Sequence, residues 1–320
     1  MNHLFADMHC DTITTLYDNV QKGSKETLRS NSIQIDFEKL AKSNYLLQNF
    51  AVFLDKEVWK DNLFHEAMLR IEFFKKQLVM NEDIIRQVTT VEELLQNEKD
   101  GRIGALLTLE GGEILEGNVD NLNAFYKEGV RMTTLTWNYD NELGHCHFDT
   151  EGKGLTRFGF EVVERMEELH MIPDVSHGSD ALFFDVCKVA KKPFVASHSN
   201  ARSIYGRSRN MSDEMIRALA HHGGVMGMNF FAGFTSERAG KGGMCYMEDI
   251  LLHMKHVVNV GGIECLGLGS DFDGIDTRVE WKDAAGMDQL LAGMRKAGFT
   301  EAECDKICRE NVLRIYKECL

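Results

Sequence analysis

His9 and Asp11 stand two residues apart, just after the short apolar run Leu4-Phe5-Ala6. On a continuing extended backbone both side chains lie on one side. An imidazole and a carboxylate converging there can hold a divalent cation, although one such pair also reads as a histidine satisfied by a neighbouring acid. Further donors recur where other apolar runs end: Glu110 before Gly111-Gly112, then Trp137-Asn138, Asp174-Val175-Ser176-His177, Ser197-His198, and Asp271 before Phe272-Asp273-Gly274. His9, His177 and His198 offer neutral nitrogens and Asp11 an anionic oxygen. That is more than one open catalytic zinc needs and suits two. Glu110 could bridge both ions through its two oxygens. Ions so placed polarise a shared water towards hydroxide near neutral pH. Asp271 is then free to take that water's proton and hand it to a leaving group; the competing reading makes it the cap of a plain turn at Asp273-Gly274.

Other polar residues fit less demanding roles. His145 and His147 fall in a polar loop and read as solvated, with a substrate entrance as the alternative. His221-His222 closes a helix, where the helix dipole favours it, and His253 and His256 are expected on a helix surface. Alternation points Cys10 away from its two neighbours. Arg202, Arg207 and Arg209 cluster after His198, where a guanidinium could clamp a substrate carboxylate as a bidentate fork or simply be surface charge.

The elements that must position these residues are eight apolar runs of strand length: around 3–9, then 48–54, 103–109, 131–137, 171–176, 193–197, 224–230 and 264–270. Helical periods lie between them, at 62–80, 156–169 with Thr156 as N-cap, 213–221 capped by Ser212, and 247–258. A last helix opens on the capping-box pattern Thr300-Glu301-Ala302-Glu303 and runs through Leu313 and Tyr316. Eight strands alternating with helices predict an α/β fold, a (β/α)8 TIM barrel, whose strand carboxyl ends share one face. A doubly wound open sheet is the alternative, disfavoured because no glycine-rich phosphate loop follows the first strand.

The chain is long and apolar enough for a large core, and only Pro173 and Pro193 interrupt it, with no linker composition. One domain over residues 1–320 is expected. A net charge of −14 argues against nucleic acid and anionic membranes as partners. The eight cysteines show no C-x-x-C spacing and read as reduced, buried thiols. No secretory signal, membrane-length apolar run or lipidation motif is found, so a cytoplasmic location is expected.

Taken together, Asp7-Met8-His9-Cys10-Asp11-Thr12, Leu109-Glu110-Gly111-Gly112, Leu135-Thr136-Trp137-Asn138, Asp174-Val175-Ser176-His177, Ser197-His198-Ser199-Asn200-Ala201-Arg202, Arg209-Asn210 and Gly269-Ser270-Asp271-Phe272-Asp273-Gly274 resemble the membrane (renal) dipeptidase family, peptidase family M19, in order and nearly end to end. The resemblance implies a barrel of the metal-dependent amidohydrolase type with two zinc ions: His9, Asp11 and bridging Glu110 on one, and Glu110, His177 and His198 on the other. It makes Asp271 the proton shuttle and Arg209 the binder of the substrate's C-terminal carboxylate, with Trp137 and Asn138 at the substrate. The implied reaction is hydrolysis of a dipeptide with a C-terminal L- or D-residue, by a soluble bacterial-type member that could be a homodimer. One departure is Trp137, which stands where the animal enzymes carry a substrate-contacting histidine; its indole N–H can donate one hydrogen bond but holds no charge. Rival functions are hydrolysis of acylated amino acids or lactones at the same site, and binding without catalysis.

Overall fold

The computed structural model describes residues 4–320; residues 1–3, with which the expected first strand and domain begin, lie outside them. In chain order the strands are β1 (Phe5–Asp7), β2 (Tyr45–Phe53), β3 (Ile85–Gln87), β4 (Ile103–Glu110), β5 (Val130–Thr134), β6 (Ile172–Asp174), β7 (Val195–Ser199), β8 (Val225–Met228), β9 (Met244–Cys245), β10 (Leu266–Leu268) and β11 (Arg278–Val279). Eight of them pair in parallel in the order β2-β1-β10-β8-β7-β6-β5-β4, and β4 returns to β2 to close a (β/α)8 barrel. Each of the eight expected runs overlaps one of these strands. Burial on both faces explains why they read as near-continuous apolar runs; all eight residues of β4 are buried. The three strands not expected are two or three residues long, too short to show a period. Of these, β3 continues the edge of β4 below β5.

The expected helices form, with Thr156 and Ser212 accepting hydrogen bonds from the backbone N–H of Gly159 and Met215 and a reciprocal capping box at Thr300 and Glu303. The last helix differs from expectation: a π-helical stretch, Lys306–Glu310, separates Glu301–Asp305 from Asn311–Cys319. Asn311, just past that stretch, donates to the carbonyls of Ile263 and Leu266. Val312, Ile315 and Tyr316 then pack with Ala6, Leu46, Leu106, Met132, Ile172, Val195 and Val225, which fills the barrel at the amino ends of its strands. The Tyr316 hydroxyl donates to Asn49 Oδ1 at 2.8 Å. The bottom is thereby sealed, and the carboxyl ends are left as the open face.

One irregularity shapes that face. The β7–β8 register shifts between Ala196 and Ser199, and the Ser197 carbonyl sits where a Cβ on Gly227 or Gly269 would stand, 1.9 and 1.8 Å away. Only glycine permits this approach on the two neighbouring chain segments. Gly227→Ala is therefore expected to destabilise the protein by about 3 kcal/mol through overpacking against backbone. Gly206→Ala, whose Cβ meets nothing within 4 Å, should change stability by less than about 0.5 kcal/mol. Urea unfolding of the two variants checks the contrast.

Candidate metal centre

Each candidate ligand arrives from a strand's carboxyl end. His9 and Asp11 follow β1, Glu110 ends β4, His177 lies three residues past β6, His198 is in β7, and Asp271 lies three past β10. The structure brings all six together. His9 Nε2 lies 3.2 Å from Asp11 Oδ2, 3.6 Å from Glu110 Oε2 and 3.9 Å from Asp271 Oδ1. The other Glu110 oxygen, Oε1, lies 3.1 Å from His177 Nε2 and 3.4 Å from His198 Nε2. The His9 and His198 rings stack with centroids 3.8 Å apart. His177 and Asp271 adopt left-handed backbone, φ +66° and +62°, a conformation that non-glycine residues hold only where surrounding structure imposes it.

Hydrogen bonds behind the ligands set their tautomers. His177 Nδ1 lies 2.8 Å from Asn138 Oδ1, an oxygen that can only accept, so Nδ1 carries the proton and Nε2 a lone pair. Ser197 Oγ donates to Asp174 Oδ2 at 2.5 Å and accepts from His198 Nδ1 at 2.7 Å, which leaves the His198 Nε2 lone pair free as well. Those two Nε2 atoms are 3.0 Å apart and face one Glu110 oxygen. Three lone pairs converging at that range repel one another unless a cation or a proton lies between them. Asp11 Oδ1, moreover, is buried without a hydrogen-bond partner among the described residues. Three imidazole nitrogens, two carboxylates and this crowding fit a pair of divalent ions such as zinc.

Burial pushes Glu110 up to about 8, with the Asp11 charge adding to it. Burial raises Asp271 to about 7, His9 pulling it down and Asp11 pushing it up. Burial works to lower His9, but Glu110 and Asp11 outweigh it and raise this imidazole well above its ordinary value. Burial, reinforced by the Arg209 charge, holds His177 and His198 well below theirs, as neutral donors.

The substrate candidates surround this centre. Arg209 is buried; its Nη1 donates to Ser199 Oγ and its Nη2 to the His198 carbonyl, both at 2.9 Å. It has no ion-pair partner among the described residues, and its Nε is unpartnered. Arg202 instead forks onto Asp180 and Arg207 stacks on Tyr205. Trp137 and Asn138 line a 540 Å³ cavity with Glu110, His177 and Asp271, within the range of small-molecule sites, about 300–1,000 Å³. The Asn138 carboxamide oxygen, however, is taken up by His177 and by His147 Nε2, 3.1 Å away. A larger apolar groove of 840 Å³, on the outer face of helix Leu63–Met80, shares none of these residues.

Several contributors escaped the sequence reading. His253, expected on the surface, is buried: its Nδ1 accepts from Ala201 N–H and its Nε2 donates to the Thr235 carbonyl. His147, read first as solvated, is half-buried beside Asn138 and Ser208. Asn229, just past β8, donates to Asp271 Oδ2 at 2.8 Å; its place at a strand's carboxyl end was the available signal. Ser197 was visible only as a neighbour of His198.

Two outcomes are expected. Ser197→Ala should weaken zinc binding about 10- to 100-fold with the fold intact, read by competition with a chelator and by circular dichroism. In the metal-free protein Glu110 binds its proton up to about 8, against 4.5 unfolded. The folded state then holds the extra proton between those values, so this group's contribution to stability falls as pH rises across the window. Metal-free wild type should accordingly lose stability relative to metal-free Glu110→Gln from about pH 4.5 to 8 in urea titrations.

The sequence model of the family described as "Membrane dipeptidase (Peptidase family M19)" matches residues 1–319. An uncharacterized protein in the pqqA 5′ region of Klebsiella pneumoniae is 31% identical over 255 residues, 78% of this chain and 94% of that protein. An uncharacterized dipeptidase of Schizosaccharomyces pombe is 31% identical over 229 residues, 68% of this chain and 54% of that protein, so this chain spans about half of that relative's length. A solved metallopeptidase from Rhodobacter sphaeroides, liganded with a phosphinate mimic of the dipeptide L-Ala-D-Ala, superposes with TM-score 0.89 at 23% identity over 100% of both chains. The ligand-bearing barrel mouth and these matches agree: the chain belongs to the membrane dipeptidase family of metallopeptidases, family M19.

Proposed function

We propose that this protein is a binuclear zinc dipeptidase that hydrolyses dipeptides carrying a C-terminal L- or D-residue. The observation that carries the reading is the division of Glu110, one oxygen towards His9 and the other towards His177 and His198. His9, Asp11 and Glu110 would hold one ion, and Glu110, His177 and His198 the other. When bound, the two ions would supply Lewis acidity to the scissile carbonyl and acidify a water.

The chain's own groups supply the rest. Arg209, buried and charged, receives the free C-terminal carboxylate, which orients the peptide and favours an unblocked end. Asp271 is held through Oδ2 by Asn229, and its Oδ1 points towards His9. So placed, it takes a proton from the attacking water and passes it to the leaving amine. The matched family and the dipeptide mimic bound by the Rhodobacter sphaeroides relative support the substrate class.

The reading takes residues 1–320 as one domain acting in the cytoplasm, on small peptides rather than nucleic acid or membrane. Eight free, mostly buried thiols suit a reducing compartment, and among the described residues no helix is long and apolar enough to cross a membrane. It includes a homodimer.

Asp271→Asn should lower kcat by about 10²–10⁴ while zinc analysis still finds two ions; near-wild-type rates would remove Asp271 from this role. Arg209→Met should lower kcat/KM for free dipeptides about a hundredfold and abolish their advantage over dipeptide amides. N-acyl amino acids and lactones belong in the same assays, since preferential turnover of either replaces the dipeptidase reading.

A further inference from the structure

The cavity above the candidate metal centre has two aromatic walls. On one side Phe53 and Trp137 pack with ring centroids 4.6 Å apart, and Tyr139 backs Trp137 at 5.4 Å. On another Phe231 and Phe234 meet edge to face at 4.7 Å. All four of Phe53, Trp137, Phe231 and Phe234 line the same 540 Å³ space.

The polar lining residues outside the metal centre are mostly occupied by the protein itself. Thr14 Oγ1 bonds the backbone of Phe53, and Thr15 Oγ1 donates to the Asp273 carbonyl. Asp273 accepts from Thr12 Oγ1 and from the backbone N–H of Gln34 and Ile35. Asp18 pairs with the buried guanidinium of Arg70. Aromatic faces are therefore what the cavity offers a substrate side chain, and a carboxylate laid against them would lose hydration without gaining a partner.

Position along the peptide follows from Arg209. Its guanidinium lies 5.6 Å from the Phe234 ring centroid, so a C-terminal carboxylate held there places the C-terminal side chain beside Phe231 and Phe234. Phe53 is paired in register with Glu110 across β2 and β4, which puts the Phe53–Trp137 wall on the metal side, where the amino-terminal residue lies. The second wall is fixed to the chemistry by one side chain: Asn229 donates to Asp271 through Nδ2 and accepts from Phe231 N–H through Oδ1 at 2.6 Å. Gly233 leaves room for the Phe231 ring, whose Cε1 stands 2.6 Å from where a Cβ would be.

Resting on the dipeptidase reading, we propose that this cavity selects dipeptides of two apolar residues, at least one of them large. The amino-terminal side chain lies against Phe53 and Trp137, the C-terminal one against Phe231 and Phe234, and acidic side chains are excluded at both positions. Trp137, packed on Phe53 and lining the cavity, gives this selectivity its clearest residue.

The zinc-loaded protein should be assayed against Ala-Ala, Phe-Ala, Ala-Phe, Leu-Leu, Glu-Ala and Ala-Glu, with L- and D-residues at the C-terminal position. Phe-Ala, Ala-Phe and Leu-Leu are expected to exceed Ala-Ala in kcat/KM by about tenfold or more, in line with the value of extra methylene groups in an apolar pocket. The glutamate-bearing peptides should fall below Ala-Ala. Trp137→Ala should shrink the Phe-Ala to Ala-Ala ratio, and Phe231→Ala the Ala-Phe to Ala-Ala ratio, each by about tenfold. The wild-type panel stands by itself should a variant fold poorly. Equal rates across the panel, or a preference for Ala-Ala or the glutamate peptides, overturn the subsite and leave the dipeptidase reading standing; turnover of no dipeptide overturns both.

Discussion

One carboxylate, that of Glu110, organises the mouth of this barrel. It is buried, its charge is penalised by that burial, and its two oxygens face two separate sets of imidazoles. A group in that position is costly unless cations or protons meet it. It also sits on the best-supported strand of the sheet. β4 pairs with β2 from Leu47 to Phe53 along one edge, and with β3 and then β5 along the other. A bridging group needs this kind of support, because an error of about 1 Å in its placement would separate the two halves of the site.

Behind the ligands lies a layer of polar contacts that continue the sheet past the point where ladder pairing stops. Asp7 Oδ1 accepts from the backbone N–H of His9 and Ser270, which ties the end of β1 to the segment after β10. Asp174 Oδ1 does the same for Ser176 and Ser197, between β6 and β7. From these anchors the orientation of each candidate group follows: His198 through Ser197 and Asp174, His177 through Asn138, and Asp271 through Asn229. His147 joins Asn138 to Ser208, beside Arg209, so the candidate metal centre and the Arg209 segment share a hydrogen-bonded frame. Arg209 itself hangs on the His198 carbonyl.

Much of this was legible in the sequence, for physical reasons that can be named. Strands buried on both faces leave apolar runs, and a barrel puts their carboxyl ends together, so the change from Leu109 to Glu110, or from Ala196 to His198, marks both a strand's end and a donor. Arg209 could be separated from Arg202 and Arg207 only by family resemblance; spacing alone treats the three alike, and burial distinguishes them. His253 was missed although its spacing from Ile250 and Val257 put it on the apolar face of helix Met247–Gly261: polarity hid a position that periodicity exposed. Asn138 was expected at the substrate, yet its oxygen serves two imidazoles. Contacts of that kind join residues distant in the chain, as Asn229 joins Asp271, and no local pattern encodes them. The short β3 and the π-helical stretch at Lys306–Glu310 fall below the length at which a period can be counted.

The central claim is that Glu110 lies between two metal ions. Anomalous diffraction from zinc-loaded crystals, collected on both sides of the zinc absorption edge, tests it most directly. The account predicts two zinc peaks per chain, one on each side of the Glu110 carboxylate, the first against His9 and Asp11 and the second against His177 and His198. A single peak, or two peaks with Glu110 turned away from either, would contradict it.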